Sequence, residues 1–594
     1  MKKLAYAIVL IGTITFSGCA LQKMIKTGKN QQVTAVPSPL ELHGDSVKFD
    51  ITAVLPVKTL KKGKVYTITP TYEYGEQVQE LDGVVFEADK FPNAATEQPQ
   101  MTKKQSFKYE PAMASGDLMI KAVASDPRNG KSKESEKVKL TDGIITTSTM
   151  VKEVYYAAYA DHGYNNKEEL VPTNVEFFFE QGRSVLRTSE KSSDRGKSFT
   201  AFVADKNVTR TVTITGTHSP EGTERINSGL SEDRATAIET YYRQMMKKYD
   251  YKGLADSIKF ILKPVVEDWS GFKAALNEYT NISAADKDAM LQIVNGSGSF
   301  EEKEKQLQKF SSYKSIFKDI YPKLRTAKTE ILSVKDKKSD AEISVLAKQI
   351  AESKVSSDTL SVEELLYSAT LTPSLKEKEA IYTAATKKDQ SAAAHNNLGA
   401  VYIEMAMEAE SDEDMKKYVD MAVAQLELSV KIKETAEAAT NLGVAYLMQG
   451  NAAKAAASLQ KAISLNPASE VSRGLNGVLG AIQIRMAQYG PAVSSLSKAE
   501  ESADNLFNKG LAQLLSKDFQ NARTSFIEAT EKDAKYAAGF YGAAIASARL
   551  KDENSVVSNL SKAVAIDPSL KEKALNDLEF ANFSGSEAFR NALK

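Results

Sequence analysis

Few side chains in this 594-residue chain are placed to do chemistry. The four histidines, His43, His162, His218 and His395, lie far apart, and no cysteine stands beside them at metal-ligand spacing. Neither a metal site nor a cofactor is expected. No serine elbow, zinc motif, phosphate-binding glycine loop or carboxylate pair is present, so no enzymatic activity is expected. What remains is recognition chemistry. Arg234 follows the polar loop Gly216-Thr217-His218-Ser219-Pro220-Glu221-Gly222, and a planar guanidinium fork matches the two oxygens of a carboxylate. It falls near the start of a helix expected from about Ser228 to Tyr249, where unpaired backbone N–H groups also favour an anion. Ser219 and Glu221 in the loop, and Asn227 before the helix, complete the polar set. The only cysteine, Cys19, is the other reactive group.

The elements that must hold Arg234 read as an α+β arrangement. A strand begins at Val175-Glu176-Phe177-Phe178-Phe179-Glu180, a polar helix spans Ser193 to Ala204, and a strand runs from Val208 to Thr215. After the Arg234 helix come a strand over Ile258 to Val266 and a closing strand over Thr326 to Val334. Gly216, Asn227, Leu230, Ser231, Arg234 and Ala235 stand where the OmpA-like peptidoglycan-binding domain has its strand-end glycine, its asparagine and its Leu-Ser-x-x-Arg-Ala motif. Residues 171–334 therefore resemble that domain, with an insertion at about 270–322 like that of Bacteroidetes versions. The resemblance implies that Arg234 and a loop aspartate hold the amine and free carboxylates of diaminopimelate in the wall peptide. Ser219 takes the place of that aspartate and brings no charge to the ammonium; Glu221 is two residues away. Ser219, Glu221, Asn227 and Arg234 are the expected peptidoglycan contacts. The run Glu301-Glu302-Lys303-Glu304-Lys305 reads as a solvated helix face.

A second pattern organises the C-terminal third. Leu442, Gly443 and Tyr446 are followed by Ala455, Leu459 and Ala462, then Pro467: small residues where two helices approach, large ones filling the gaps, and a proline after the second helix. The pair recurs at Leu426/Ser429, Leu459/Ala462, Leu496/Ala499, Phe526/Ala529 and Leu560/Ala563, with second members 33, 37, 30 and 34 residues apart. Residues 373–569 resemble the tetratricopeptide repeat (TPR) family, whose period is about 34. The resemblance implies an all-α solenoid that grips other proteins. Extra residues in the first unit, including Glu408, Glu410, Asp412, Glu413 and Asp414, lengthen its helices or form a loop. Residues 570–594 read as a capping helix.

Met1-Lys2-Lys3, the apolar run Leu4 to Phe16 and Ser17-Gly18 make an export signal, too short to span a membrane. A cysteine directly after those small residues resembles the lipobox of bacterial lipoproteins, which implies removal of residues 1–18 and acylation of Cys19. Ala20 is not the aspartate of inner-membrane retention, and Leu21-Gln22-Lys23-Met24 lacks the acidic run of Bacteroidetes surface export. An outer-membrane, periplasm-facing lipoprotein of Bacteroidetes type is the expectation.

The rest of the chain connects these modules. Residues 19–40 are polar and read as a lipidated tether. Residues 41–147 alternate with period two between turn signals, as an antiparallel β-sandwich does. Residues 148–170 are a connector whose tyrosines, Tyr155, Tyr156, Tyr159 and Tyr164, serve packing or the stacking of a partner. Residues 335–372 read as a linker. Lys+Arg and Asp+Glu both total 77, so a basic surface for nucleic acid is not expected.

The expected protein is thus multidomain, a β-sandwich, an OmpA-like α+β domain and a TPR solenoid, linking membrane and peptidoglycan to an unknown envelope protein. A surface-displayed adhesin or pilus-associated lipoprotein, its OmpA-like fold no longer binding the wall, is the alternative. Replacing Cys19 with Ser is expected to shift the protein from the detergent to the aqueous phase in a partition assay. Retention in the detergent phase would remove the lipid anchor from consideration.

Overall fold

The computed structural model describes residues 20–265 and 269–594. The expected signal and Cys19 lie outside the described residues, as does Val266. The described chain divides into two compact units, residues 20–164 with Asp340–Lys594, and Asn165–Ser339. Among the described residues no helix is long and apolar enough to cross a membrane.

Period-two alternation builds the sandwich of the first unit. In one sheet Ser46–Val54 pairs with Gln32–Val36 and Leu40–His43 along one edge and with Gln100–Lys108 along the other. In the second, Val65–Tyr74 pairs with Asp117–Ser125 on one side and with Gln77–Glu80 and Val84–Glu87 on the other. Val47, Phe49 and Ile51 from the first sheet share a core with Tyr66, Ile68, Leu118 and Ile120 from the second, the interdigitation of two half-buried faces. Residues 20–40 are not a tether. Ala20–Gly28 is a helix whose Leu21, Met24 and Ile25 are buried in the sandwich core, and Gln32–Val36 is its first strand. The three-and-four spacing of those apolar residues supplies a helix stripe that the polar composition around it conceals.

The solenoid consists of five antiparallel helix pairs: Ala392–Met407 with Asp412–Ile432, Ala436–Met448 with Ala452–Ser464, Ser469–Arg485 with Tyr489–Leu496, Ala503–Leu515 with Phe519–Lys532, and Ala537–Arg549 with Glu553–Ile566. Glycine sets the spacing within a pair. A Cβ on Gly443 would lie 2.7 Å from Leu459 Cγ, and the same contact recurs between Gly399 and Leu426, Gly480 and Leu496, and Gly510 and Phe526. Ala455, Leu459 and Ala462 are buried; Leu442 and Tyr446 are half-buried, and Tyr446 donates to Glu427 at 3.1 Å. Pro467 stands just beyond the helix that ends at Ser464. The extra residues of the first pair extend its helices to 16 and 21 residues. Asp412, Glu413 and Asp414 form the first turn of the second of these helices, where negative charge complements the helix dipole.

Two boundaries differ from expectation. Residues 335–372 are not a linker: Asp340–Ala351 and Val362–Ser368 are helices, and their Ile343, Ala347, Ile350, Leu365 and Leu366 join the core of the first repeats. They close the solenoid's N-terminal end. The expected capping helix is three short pieces, Leu570–Asn576, Leu578–Phe583 and Glu587–Ala592, which bury Ala574, Phe580 and Phe589 on the last pair.

In the second unit the sheet order is Leu170–Phe178, Thr326–Val334, Thr209–Gly216, Lys259–Pro264, with only the last pair parallel. Phe199 and Val203 of Asp194–Ala204, and Ala235, Ile238 and Tyr242 of Glu224–Lys248, pack on Phe177, Val212, Ile214, Ala327 and Ile331 of the sheet. The long helix begins at Glu224, so Asn227 lies in its first turn and not before it. The insertion is a small helical body with its own core of Trp269, Phe272, Leu276, Met290, Phe300, Leu307, Ile316 and Tyr321.

Gly443→Ala is expected to destabilise the first unit by about 2 kcal/mol, because Leu459 cannot retreat without strain. The urea midpoint measures this. Gly490→Ala, where an added Cβ meets nothing within 4 Å, leaves the midpoint at or above that of the wild type.

Candidate functional site

Residues Val151–Asp161 carry no regular secondary structure, yet Lys152, Ala158 and Ala160 are each bonded at both N–H and C=O. The segment forms a strap along the first helices of the repeat pairs. Asn508 accepts from Lys152 N at 2.8 Å and donates to Lys152 O at 2.9 Å. Asn441 does the same for Ala158, at 2.7 Å in both directions, and Asn397 for Ala160, at 2.7 and 3.1 Å. Asn396 adds a second donor to Ala158 O at 2.9 Å and accepts from Asn441 at 3.0 Å. An asparagine amide carries N–H donors at one end and an acceptor oxygen at the other, so it can satisfy both the C=O and the N–H of a buried peptide group that lacks a neighbouring strand.

The strap's side chains fill the groove. Tyr156 lies against Gly474, where a Cβ would come within 2.4 Å of the ring. Tyr159 donates to Glu404 at 2.7 Å. Lys152 Nζ stands 5.5 Å from the centre of the Phe507 ring. His162 and Tyr164 both pack on Tyr367, whose hydroxyl donates to Asp340 at 3.0 Å. Packing, not partner stacking, is the role of the tyrosine cluster in this structure. Residues 148–170 are thus no simple connector: most are groove-bound, and Leu170 opens the sheet of the second unit.

A charged lock joins the sandwich to the last repeats. Arg549 donates to Glu41 at 2.8 Å and to Glu579 at 2.5 and 3.0 Å, and Thr147 donates to Glu579 at 2.6 Å. Burial works against ionisation of Glu41, but the hydrogen bond from His43 and the charge of Arg549 outweigh it and draw its pKa down to about 2.

In the second unit the four expected contacts separate into two groups. Arg234 is 1% exposed and each nitrogen of its fork donates to a backbone carbonyl: Nε, Nη1 and Nη2 to those of Arg183, Thr217 and Glu180 at 3.0, 2.7 and 3.2 Å. Burial, reinforced by the charge of Arg325, lowers its pKa to about 10, so it remains a cation at neutral pH. It anchors the loop's backbone. Ser219 and Glu221 converge on Arg325, whose Nε donates to Ser219 Oγ at 2.9 Å and whose Nη2 donates to Glu221 Oε1 at 2.6 Å. Asn227 lies beneath Gly222. The expected solvated face of the insertion is partly turned inward: Glu304 is buried with its carboxylate accepting from Tyr313 and Tyr321, and burial pushes its pKa up.

Two features escaped sequence reasoning although a signal existed. Asn397, Asn441 and Asn508 each precede the close-approach glycine by two residues, an Asn-x-Gly recurrence that helix propensity does not explain. Arg325 immediately precedes a strand that pairs with the strand ending at Gly216, which brings it beside the following loop.

A tetratricopeptide repeat family model matches residues 436–469, the second helix pair. No curated protein sequence matches the chain. Among solved structures, YrrB, a TPR protein with an unusual peptide-binding site, is 20% identical over 33% of this chain and 98% of its own, with a TM-score of 0.28. The C-terminal part of a TPR repeat-containing protein from Cytophaga hutchinsonii is 14% identical over 39% and 92%, with a TM-score of 0.29. PilW, a type IV pilus biogenesis factor, is 15% identical over 43% and 99%, with a TM-score of 0.28. The C-terminal region is a TPR repeat stack, a protein-interaction architecture. Among the described residues no group of three metal-ligating side chains forms a site.

Asn441→Ala strips Ala158 of partners for a buried N–H and weakens its C=O bonding. A loss of about 2–3 kcal/mol is expected, with faster proteolytic cleavage between Val151 and Tyr164. Asn476→Ala, whose amide bonds Ser472 O within its own helix, leaves that cleavage rate unchanged.

Proposed function

We propose that this protein is a non-enzymatic, lipid-anchored scaffold of the outer membrane, facing the periplasm, that joins an envelope protein to the peptidoglycan. The filled repeat groove carries the reading. With the strap occupying the first helices, the partner meets the outer helices, where Leu428, Ile432 and Ile463 are exposed. In the second unit the strand–helix–strand–helix–strand order before the insertion and the closing strand after it support an OmpA-like module. Its loop residue Glu221 and Arg325, just before the closing strand, set opposite charges side by side. A wall peptide ending in diaminopimelate presents an ammonium and carboxylates of complementary sign. Arg325 is the arginine that faces such a ligand; Arg234 holds the loop in shape.

The bonding of all three Arg234 nitrogens to backbone carbonyls favours a second reading, in which the module is a spacer that no longer binds the wall. Co-sedimentation of the mature chain with isolated sacculi separates the two. The wall-linked reading expects pelleting that falls about tenfold in Arg325→Ala, the loss of one charge-assisted contact. Failure of the wild type to pellet leaves the spacer. Protease treatment of intact cells tests the orientation: degradation there supports the surface-displayed adhesin.

A further inference from the structure

The start of the long helix Glu224–Lys248 is held by a group from elsewhere in the chain. Its N-cap, Thr223, makes no side-chain capping bond, whereas Asp194–Ala204, Ala284–Asn295 and Phe300–Leu307 in the same unit are each capped by their own serine. The N–H of Glu224 donates instead to Glu301 Oε1 at 2.9 Å, across 77 residues of sequence. Glu301 belongs to the insertion. Its neighbour Phe300 packs edge-on against His218 at 5.3 Å and at a tilt against Trp269 at 4.8 Å.

Within three residues of Glu224 lie polar atoms left unsatisfied. Asn227 is 3% exposed. Its amide faces Gly222, where a Cβ would come 3.5 Å from Oδ1 and 3.9 Å from Nδ2, yet Nδ2 has no hydrogen-bond partner among the described residues. Glu221 Oε1 accepts from Arg325, while its Oε2 is likewise unpartnered. Buried donors and acceptors are nearly always paired, so an orphaned acceptor in the loop and an orphaned donor in the first turn of the helix after it call for a physical cause. A helix N-terminus already gripping a carboxylate, with a free donor and a free acceptor beside it, is a site shaped for a ligand that bears both charges.

We infer that the insertion is a displaceable plug: Glu301 occupies the carboxylate position of the loop site, and an acidic ligand enters by replacing it. This rests on the wall contact proposed above for that loop. The plug has its own hydrophobic core, separate from that of the sheet and long helix, so it can lift without dismantling either. A tethered competitor lowers the apparent affinity by the fraction of time it sits in the site.

The test uses the mature chain as wild type, Glu301→Gln and Glu302→Gln. Glu302 caps only its own helix and serves as the control. Trp269 is the only tryptophan and lies inside the plug, so its emission reports lifting. In Glu301→Gln, about tenfold faster exchange of the Glu224 amide and about tenfold more pelleting with sacculi are expected, the weight of one charge-assisted hydrogen bond. Sacculi should red-shift Trp269 emission in the wild type, and the control should match the wild type throughout. Unchanged exchange and emission in Glu301→Gln overturn the plug, as does measurable but equal pelleting of variant and wild type. Faster exchange with no pelleting by any chain supports a plug held by Glu301 and overturns the wall contact instead.

Discussion

A peptide group taken out of water must find a partner, and in the first unit this requirement falls on a strap with no strand beside it. Three asparagines meet it by imitating the edge of a sheet from the face of a helix stack. Lys152, Ala158 and Ala160 are bonded at both N–H and C=O. The arrangement is indifferent to the strap's side chains but exacting about its register, because only a residue at the right depth can use both ends of an amide. Tyrosines on either side then fix that register by shape. The repeat stack, usually a surface offered to others, is here closed by its own chain, and the same closure fastens the sandwich to the repeats with help from Arg549 between its two glutamates.

The second unit follows the same logic on a smaller scale. Its arginine of expected importance, Arg234, is drawn into the backbone of the loop it was expected to arm. The polar work passes to Arg325 with Ser219 and Glu221. Positive and negative charges buried together hold the loop in one conformation, while the insertion supplies the side-chain cap that Thr223 does not give the long helix.

The periodic parts of this architecture are the parts legible in the chain. The Leu-and-small-residue repeat located the solenoid because the steric demand at Gly443 and Leu459 is local and recurs at a fixed period. The strand Thr326–Val334 was likewise readable from its alternation. What was hidden depended on contacts distant in sequence. The short stripe Leu21, Met24, Ile25 acquires meaning only against the sandwich, and Ile343 to Ile350 only against the first repeats. Arg234 illustrates the limit most clearly: its residue type and motif point to a ligand, but the three carbonyls around it come from segments as far as 54 residues away. Ser219 likewise has its partner far off in sequence: Arg325 lies 106 residues on.

Tyr367 touches both ends of the excursion that the chain makes into the second unit, stacking on Tyr164 as it leaves and bonding Asp340 as it returns. Departure and return therefore share one landmark on the first unit, so the intervening stretch behaves as a cassette. Acquiring, exchanging or discarding it takes a single splice between Tyr164 and Asp340, and neither the strap nor the repeats need be redrawn.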